Sequence, residues 1–363
     1  MKYIFTITFI LVTFGIIMIY STSAISAEDK FADQYYFLKR QLMWAGFAIV
    51  AMVVASLVPM DSLKTMSKPL LILIWFFLIL VLIPGIGTKV GGARRWLRFG
   101  GWSFQPAEMA KLVLIIYSAH FLSRKHVEVE KFCHGILPLV IVLAVTVGLI
   151  LKQPDFGTSV ITGTVILVLM FVAGANIKHL LLMAGAAMPV AVLMIFKESY
   201  RLQRMLVFIN PWKDPSNTGY QITQSFIALG SGGFAGKGLG HSVQKLYYLP
   251  ESYTDFIFSI IGEEMGFIGT SIIVLLFVGF FCVGMKICKN APDRFTYLIG
   301  IGVTVMIALQ GIIHMGVVSG CLPTKGLPLP FVSFGGSSLL VTMTGAGLLV
   351  NIERHRMSGI RKR

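Results

Sequence analysis

A carboxylate that closes a polar stretch at the mouth of an apolar run is where this chain could do chemistry on a membrane-borne substrate. That residue is Asp255, in LPESYTDFIF, at the end of a basic, glycine-rich segment covering 198–255. A general base needs a group that reaches the proton it abstracts, and a carboxylate can fill that role. The position also suits helix capping, because Thr254 or Asp255 could accept orphan N–H bonds at the start of the next helix. The roles are compatible, and a helix dipole would favour the ionised form. Glu263 and Glu264 follow inside the same apolar run. Adjacent helix positions point about 100° apart, so these two cannot share one partner. Asp255 and Glu263, eight residues apart, project alike and could line one groove. Ionisable groups at membrane depth pair or face a polar cavity, so packing stands beside relay or substrate roles for both glutamates.

The cations suggest an anionic ligand. GGARRWLRFGGW, from Gly91 to Trp102, holds Arg94, Arg95 and Arg98, and arginine forks match phosphate oxygens. Its tryptophans, Trp96 and Trp102, equally suit plain interfacial anchoring. Lys325 is a further candidate. Lys325 lies in CLPTKGLPLPFVSFGGSS, where Pro323, Pro328 and Pro330 forbid regular helix. Irregular backbone at membrane depth is tolerated where it lines a cavity, so this segment, with Ser333, Gly335 and Gly336, is expected to line a groove. Glu108 and Lys111, three apart, share a helix face and read as a structural or substrate-positioning ion pair. Gln310 and His314 share a face as well, and suit interhelical hydrogen bonding better than metal ligation. GSGGFAGKGLG, from Gly230 to Gly240, fails as a phosphate loop, because Ser231 and Gly238 stand where glycine and Ser/Thr are required; it reads as a flexible loop. With no Asp-x-Asp pair in the chain, no metal site is assigned.

These residues must be positioned by membrane helices. The 363 residues are 56% hydrophobic and 13% charged, with mean hydropathy +0.80, whereas soluble proteins are about 25% charged. Ten apolar spans are expected, at about 3–21, 41–60, 68–84, 106–123, 135–151, 155–174, 178–196, 256–284, 296–318 and 336–352. The first resembles a secretory signal, but its apolar run exceeds the usual length of about 7–15 residues, so an uncleaved span is expected. An even count puts both termini on one side. Of the Lys and Arg residues, fifteen fall on that side and fifteen on the other, with Lys111 between them. The basic tail and short basic loops favour a cytoplasmic placement of the termini. Cations on the opposite face either serve an anionic substrate or reflect the tolerance of long loops for charge. The net charge of +15 suits an anionic membrane surface or lipid head group, and no nucleic-acid module is present. Cys133, Cys282, Cys288 and Cys321 have no paired spacing and imply neither disulfides nor zinc.

GARRWLRFGGWSFQPAEMAKL, KQPDFGTSV, NPWKDPSNTGYQITQS, GKGLGHSVQKLYYLPESYTDFIFSIIGEEMGFIG and LPTKGLPLPFVSFGGSS together resemble the SEDS family, in order from about Gly91 to Glu353. NPWKDP, SVQKLYYLPE and LPTKG look more like its division and sporulation members than its elongation member. One departure is Tyr253, where the family often has histidine. The resemblance implies an all-α polytopic membrane protein forming a single domain over 1–363. Ten transmembrane helices, cytoplasmic termini, a large extracytoplasmic loop at 198–255 between helices 7 and 8, and a basic cytoplasmic tail at 353–363 belong to that expectation. It implies an inverting peptidoglycan glycosyltransferase that polymerises lipid II, the undecaprenyl-linked disaccharide pentapeptide, with Asp255 matching the essential aspartate. Arg94, Arg95, Lys245 and Lys325 are then candidates for the pyrophosphate. No cofactor follows; a divalent cation is the one addition the chemistry leaves open. A class B penicillin-binding protein and other division proteins are the implied partners, at the division septum in the bacterial cytoplasmic membrane. A lipid II flippase and a non-enzymatic division scaffold are the alternatives.

Overall fold

In the computed structural model, which describes residues 2–90, 92–100, 102–124, 128–197 and 199–361, each of the ten expected apolar segments falls on a helix. Gly91, Gly101, Lys125, Glu198, Lys362 and Arg363 lie outside the described residues, so the first residue of the 198–255 segment and the last two of the tail carry no structural statement. Three helices open the chain: α1 (Lys2–Phe31), α2 (Tyr36–Leu57) and α3 (Met60–Leu82). Pro84 follows the end of α3, as expected of a residue that cannot continue a helix.

The all-α expectation needs one correction, because a small antiparallel sheet comes next. Strands β1 (Gly87–Val90), β2 (Ala93–Phe99) and β3 (Trp102–Phe104) pair in the order β1-β2-β3. Ala93 and Leu97 are buried while Arg98 is exposed, the alternation of a strand with one wet face. Three arginines within seven residues obscured that alternation. Trp102 packs edge-on to Trp44 and Phe47 of α2, at 5.4 and 5.1 Å, and so pins the sheet over that helix.

Helix α4 (Pro106–Leu122) starts with proline in its first turn, where the missing N–H is harmless, and is buried nearly all round. Such a helix belongs at the centre of a bundle. Then come α5 (Leu137–Lys152), α6 (Phe156–Val172) and α7 (Ile177–Lys197). Only Leu180 of α7 is buried, so that helix stands at the margin with its apolar surface outward. The 198–255 segment contains two further helices, α8 (Ser199–Ile209) and α9 (Tyr220–Gly232), and leads into α10 (Ile257–Lys289), α11 (Arg294–Val318) and α12 (Gly336–Arg361). Among the described residues, six helices are long and apolar enough to cross a membrane by length and composition, with α5 and α6 shorter apolar helices. The molecule is a mostly helical, multi-pass membrane protein.

Helix α10 is broken at Gly266, where φ is 63°. Its 33 residues would extend about 50 Å as a straight helix, well beyond a hydrocarbon core of about 30 Å. Four backbone groups beside the break find their partners in the glycine-rich segment. Lys237 and Gly238 donate N–H bonds to the Glu263 and Glu264 carbonyls at 3.0 and 2.9 Å; Phe267 and Ile268 donate to Gly233 and Phe234 at 2.9 and 3.2 Å. A Cβ on Gly236 would overlap the Glu264 carbonyl oxygen, and its φ is +82°, so only glycine fits. The expectation of a flexible loop is therefore corrected: GSGGFAGKGLG is a backbone clasp on the break.

Candidate functional site

Asp255 sits in a tight turn and not on a helix cap. The Glu251 carbonyl accepts N–H bonds from Thr254, Asp255 and Phe256 at 3.1, 3.1 and 3.2 Å. Phe256 precedes α10 with no side-chain cap bond, so the capping role does not hold and the carboxylate is left for the cavity. The proline segment is stitched to this turn. Ser333 donates to the Thr254 carbonyl at 2.6 Å and accepts from the Leu329 N–H at 2.8 Å, while the Phe334 N–H reaches the Tyr253 carbonyl at 3.0 Å. Tyr253 packs against Phe37 and Phe334 at 4.6 and 5.9 Å, so it acts as an aromatic staple. Burial, then the Glu251 carboxylate, pushes its hydroxyl up to about 12. Gly326 lies against the carboxylate: a Cβ there would stand 2.6 Å from Oδ2 of Asp255.

Two cavities meet at Asp255, one of about 380 Å³ and one of about 310 Å³. Arg95, Asp155, Asp255 and Gly326 line both. The first cavity adds Arg201, Arg204, Lys325 and Phe156. The second adds Arg40, Trp44, Trp96, Glu108 and Glu251, with Gly335 and Gly336 in its wall. Burial pushes the Asp255 carboxyl up to about 7; Glu251 adds to the rise while Arg204 and Arg95 pull against it. The pull expected of a helix dipole is overridden by desolvation. Burial also pushes the Lys325 ammonium down to about 8, against the opposing influence of Asp155, and lowers the Arg204 guanidinium from its ordinary value.

The structure brings Asp255, Arg95 and Lys325 together around one cavity, and leaves Arg94 and Lys245 out of both. Lys245 instead bonds Glu264 at 2.9 Å, the Gly240 carbonyl at 2.7 Å and Ser21 of α1 at 3.3 Å. The groove-lining assignment of Glu263 and Glu264 is corrected for the same reason. Glu263 is fully buried, with its carboxylate taken by Lys237 at 2.7 Å, by Ser242, and by the Val243 and Gln244 N–H groups at 3.1 and 3.2 Å. Both glutamates anchor the clasp. Glu108 and Lys111 do pair, at 3.0 Å, both buried. Lys111 also reaches Gln310 at 2.7 Å, and Gln310 donates to the Pro328 carbonyl at 3.0 Å. His314 donates from Nδ1 to the Leu327 carbonyl at 2.7 Å. Charged and amide groups of α4 and α11 thus hold up the proline segment from beneath.

Sequence reasoning missed Arg201, Arg204, Asp155 and Arg40. The arginine pair was legible as an i, i+3 spacing on one face of an amphipathic stretch; Asp155 sat in a quoted motif as a helix-start residue, and accepts the Thr158 N–H at 3.1 Å. Among the described residues no three His, Cys, Asp or Glu side chains gather as metal ligands. Asp155 and Asp255 face four cations in the first cavity, a donor set that suits an anion and does not fit a divalent cation.

A family profile described as "Cell cycle protein", FTSW_RODA_SPOVE, matches residues 1–358. The chain is 42% identical over 349 residues to a Geobacter metallireducens protein named "Probable peptidoglycan glycosyltransferase FtsW", covering 96% of this chain and 93% of the other. It is also 42% identical to "Stage V sporulation protein E" of Bacillus subtilis, covering 96% and 95%. Among solved structures, a chain of "Structural coordination of polymerization and crosslinking by a peptidoglycan synthase complex" superposes with TM-score 0.79 at 25% identity, over 97% of both chains. Thermus thermophilus rod shape determining protein RodA superposes with TM-score 0.71 at 25% identity, over 97% of this chain and 96% of that one.

Proposed function

The chain belongs to the cell cycle protein family of FtsW, RodA and SpoVE, and from that membership we propose that it is a peptidoglycan glycosyltransferase polymerising lipid II, with Asp255 as its general base. The observation that carries this reading is the Asp255 carboxylate at the junction of two cavities of unlike charge. The other carboxylate that lines both, Asp155, is taken by Thr158 and Gln105. The basic cavity suits the donor's diphosphate, because Arg95, Arg204 and Lys325 offer charge where charge develops. The second cavity, with tryptophans and carboxylates beside Arg40, suits the acceptor's sugar and its hydroxyls.

Asp255 takes the proton of the acceptor GlcNAc 4-hydroxyl as that oxygen attacks the anomeric carbon of the donor MurNAc. The bond from that carbon to the diphosphate oxygen breaks, undecaprenyl pyrophosphate leaves with its electron pair, and the anomer inverts. A base working across from the departing bond is the logic of inverting glycosidases. The leaving group is already good, so cationic stabilisation replaces a general acid. Gly326 gives the nucleophile room by having no side chain beside Asp255.

Ten crossings complete the proposal, with both termini cytoplasmic and the 198–255 segment outside the bacterial cytoplasmic membrane, where lipid II is consumed at the division septum. The whole of 1–363 then forms one domain with a basic cytoplasmic tail at 353–363. A class B penicillin-binding protein supplies crosslinking; the support is the neighbour described as coordinating polymerization and crosslinking in a complex. The transport alternative drew on intramembrane charges, and those are paired: Glu108 with Lys111, Glu263 with Lys237, Glu264 with Lys245.

The test is glycan polymerisation by purified protein given lipid II, with and without a cognate transpeptidase. Asp255→Asn should yield folded protein and no polymer. Polymer at wild-type yield from that variant removes Asp255 as the base, and translocation of lipid II without polymer turns the reading to transport.

A further inference from the structure

Asp155 and Asp255 line the first cavity with Arg95, Arg201, Arg204 and Lys325, yet no salt bridge joins any of these six among the described residues. Each cation is held by something neutral. Arg95 donates to the Gln153 and Pro154 carbonyls. Arg204 donates to the Thr324 carbonyl at 3.0 Å and lies 4.3 Å from the Tyr200 ring. Arg201 donates to the Met194 carbonyl at 2.9 Å and lies 5.9 Å from the Phe156 ring. Lys325 lies 4.5 Å from that same ring, and among the described residues its ammonium makes no salt bridge.

This matters because an ammonium in a half-buried cavity with two carboxylates would ordinarily pair with one. Pairing with Asp255 would hold the base in its unreactive ion pair and cancel the cation meant for the leaving group. An aromatic face attracts the ammonium by about 0.5–2 kcal/mol without cancelling its charge, so a diphosphate can draw it off. We propose that Phe156 is a positioning residue whose ring holds Lys325 and Arg201 over the cavity, away from Asp255 and Asp155, until the donor's diphosphate takes them. The inference rests on reading this cavity as the donor site.

The other charges facing Asp255 are already committed. Glu251 lies on its own turn and Arg95 on β2; Arg204 on α8 and Arg95 are tied to carbonyls. Asp155 is taken by Thr158 and Gln105. Across the second cavity, Arg40 of α2 lies over Tyr36 and Glu108 of α4 pairs with Lys111. Arg201 of α8 is tied to the Met194 carbonyl as well as to the ring, so Lys325 is the charge in this cavity that depends on Phe156 alone.

The experiment titrates inorganic pyrophosphate into the full chain in lipid nanodiscs by calorimetry, and records the pH–rate profile with lipid II. Phe156→Leu and Phe156→Met should weaken pyrophosphate binding about fivefold, and Phe156→Trp should restore it. The acid limb of the profile should move to lower pH in the Leu and Met variants, as the freed ammonium pairs with Asp255, and return with Trp. Two ringless variants guard against one that does not fold. If both bind pyrophosphate as the wild type does and keep its acid limb while Lys325→Ala loses binding, the ring has no positioning role and the donor site stands. If the wild type itself binds no pyrophosphate, the donor-site reading falls and this inference falls with it.

Discussion

A carboxyl that titrates near 7 is half ionised at neutral pH, where a base combines a useful ionised fraction with useful proton affinity. Only the ionised form of Asp255 can accept the proton, so activity should fall as pH drops below about 7, with a slope near one decade per unit. Lys325, pushed down to about 8, must be protonated to meet the diphosphate, so activity should fall again above that value. Lys325→Arg keeps the charge and should move the alkaline limb up while leaving the acid limb in place; an unmoved alkaline limb would exclude Lys325 as the second group. The Asp255 shift also bears on stability. Its folded value lies above its unfolded one, so the fold tolerates the neutral acid and is weakened as pH rises from about 4 towards about 7. Asp255→Asn should accordingly raise the melting temperature at pH 8 and leave it nearly unchanged at pH 4, by thermal scanning. Equal shifts at both values would mean that the buried charge is not the cause. Asp255 was legible in the sequence because a lone acid stood where a polar segment meets an apolar run. Its pKa was not legible, since burial comes from segments over seventy residues away in the chain, such as Gly326.

At the scale of elements, the break in α10 and the glycine clasp are one device. The four backbone bonds across the break satisfy groups that would each cost about 1–3 kcal/mol if buried and unmade. Glu263 and Glu264 then fasten the clasp from inside, one through Lys237 and Ser242, the other through Lys245 and Ser21. Gly236→Ala should therefore destabilise the protein by more than about 2 kcal/mol, through steric overlap added to left-handed backbone strain. Gly230→Ala, in the same segment with nothing within 4 Å of its new Cβ, should leave the melting temperature unchanged. Comparable losses in both would show that the segment merely dislikes side chains. The sequence displayed these glycines openly, yet their purpose is a partner at Gly266 whose broken helix reads as one continuous apolar span. The sheet was hidden differently: Ala93 and Leu97 alternate correctly, but three arginines gave that stretch the look of a charged loop.

For the whole molecule, the argument concerns which side of Asp255 each substrate occupies. Ten apolar segments could be read as helices from hydropathy alone, because continuous apolar runs have one solution in lipid. The two cavities could not be read, since their walls are gathered from the sheet, from α2, α6 and α8, and from the proline segment. If the basic cavity holds the donor, damage to each cavity should produce a different kinetic signature. Arg204 belongs to the first cavity alone and Arg40 to the second alone. Arg204→Ala removes a charge-assisted contact of about 1.5–3 kcal/mol and should raise the inhibition constant of inorganic pyrophosphate about tenfold or more. Arg40→Ala should leave that constant at the wild-type value while slowing polymerisation, because the cavity it lines takes the sugar acceptor and not the diphosphate. Inhibition measured against lipid II polymerisation decides the matter. A pyrophosphate constant raised by Arg40→Ala and untouched by Arg204→Ala would exchange the donor and acceptor sides, and equal effects from both would mean that the two cavities serve as one undivided site.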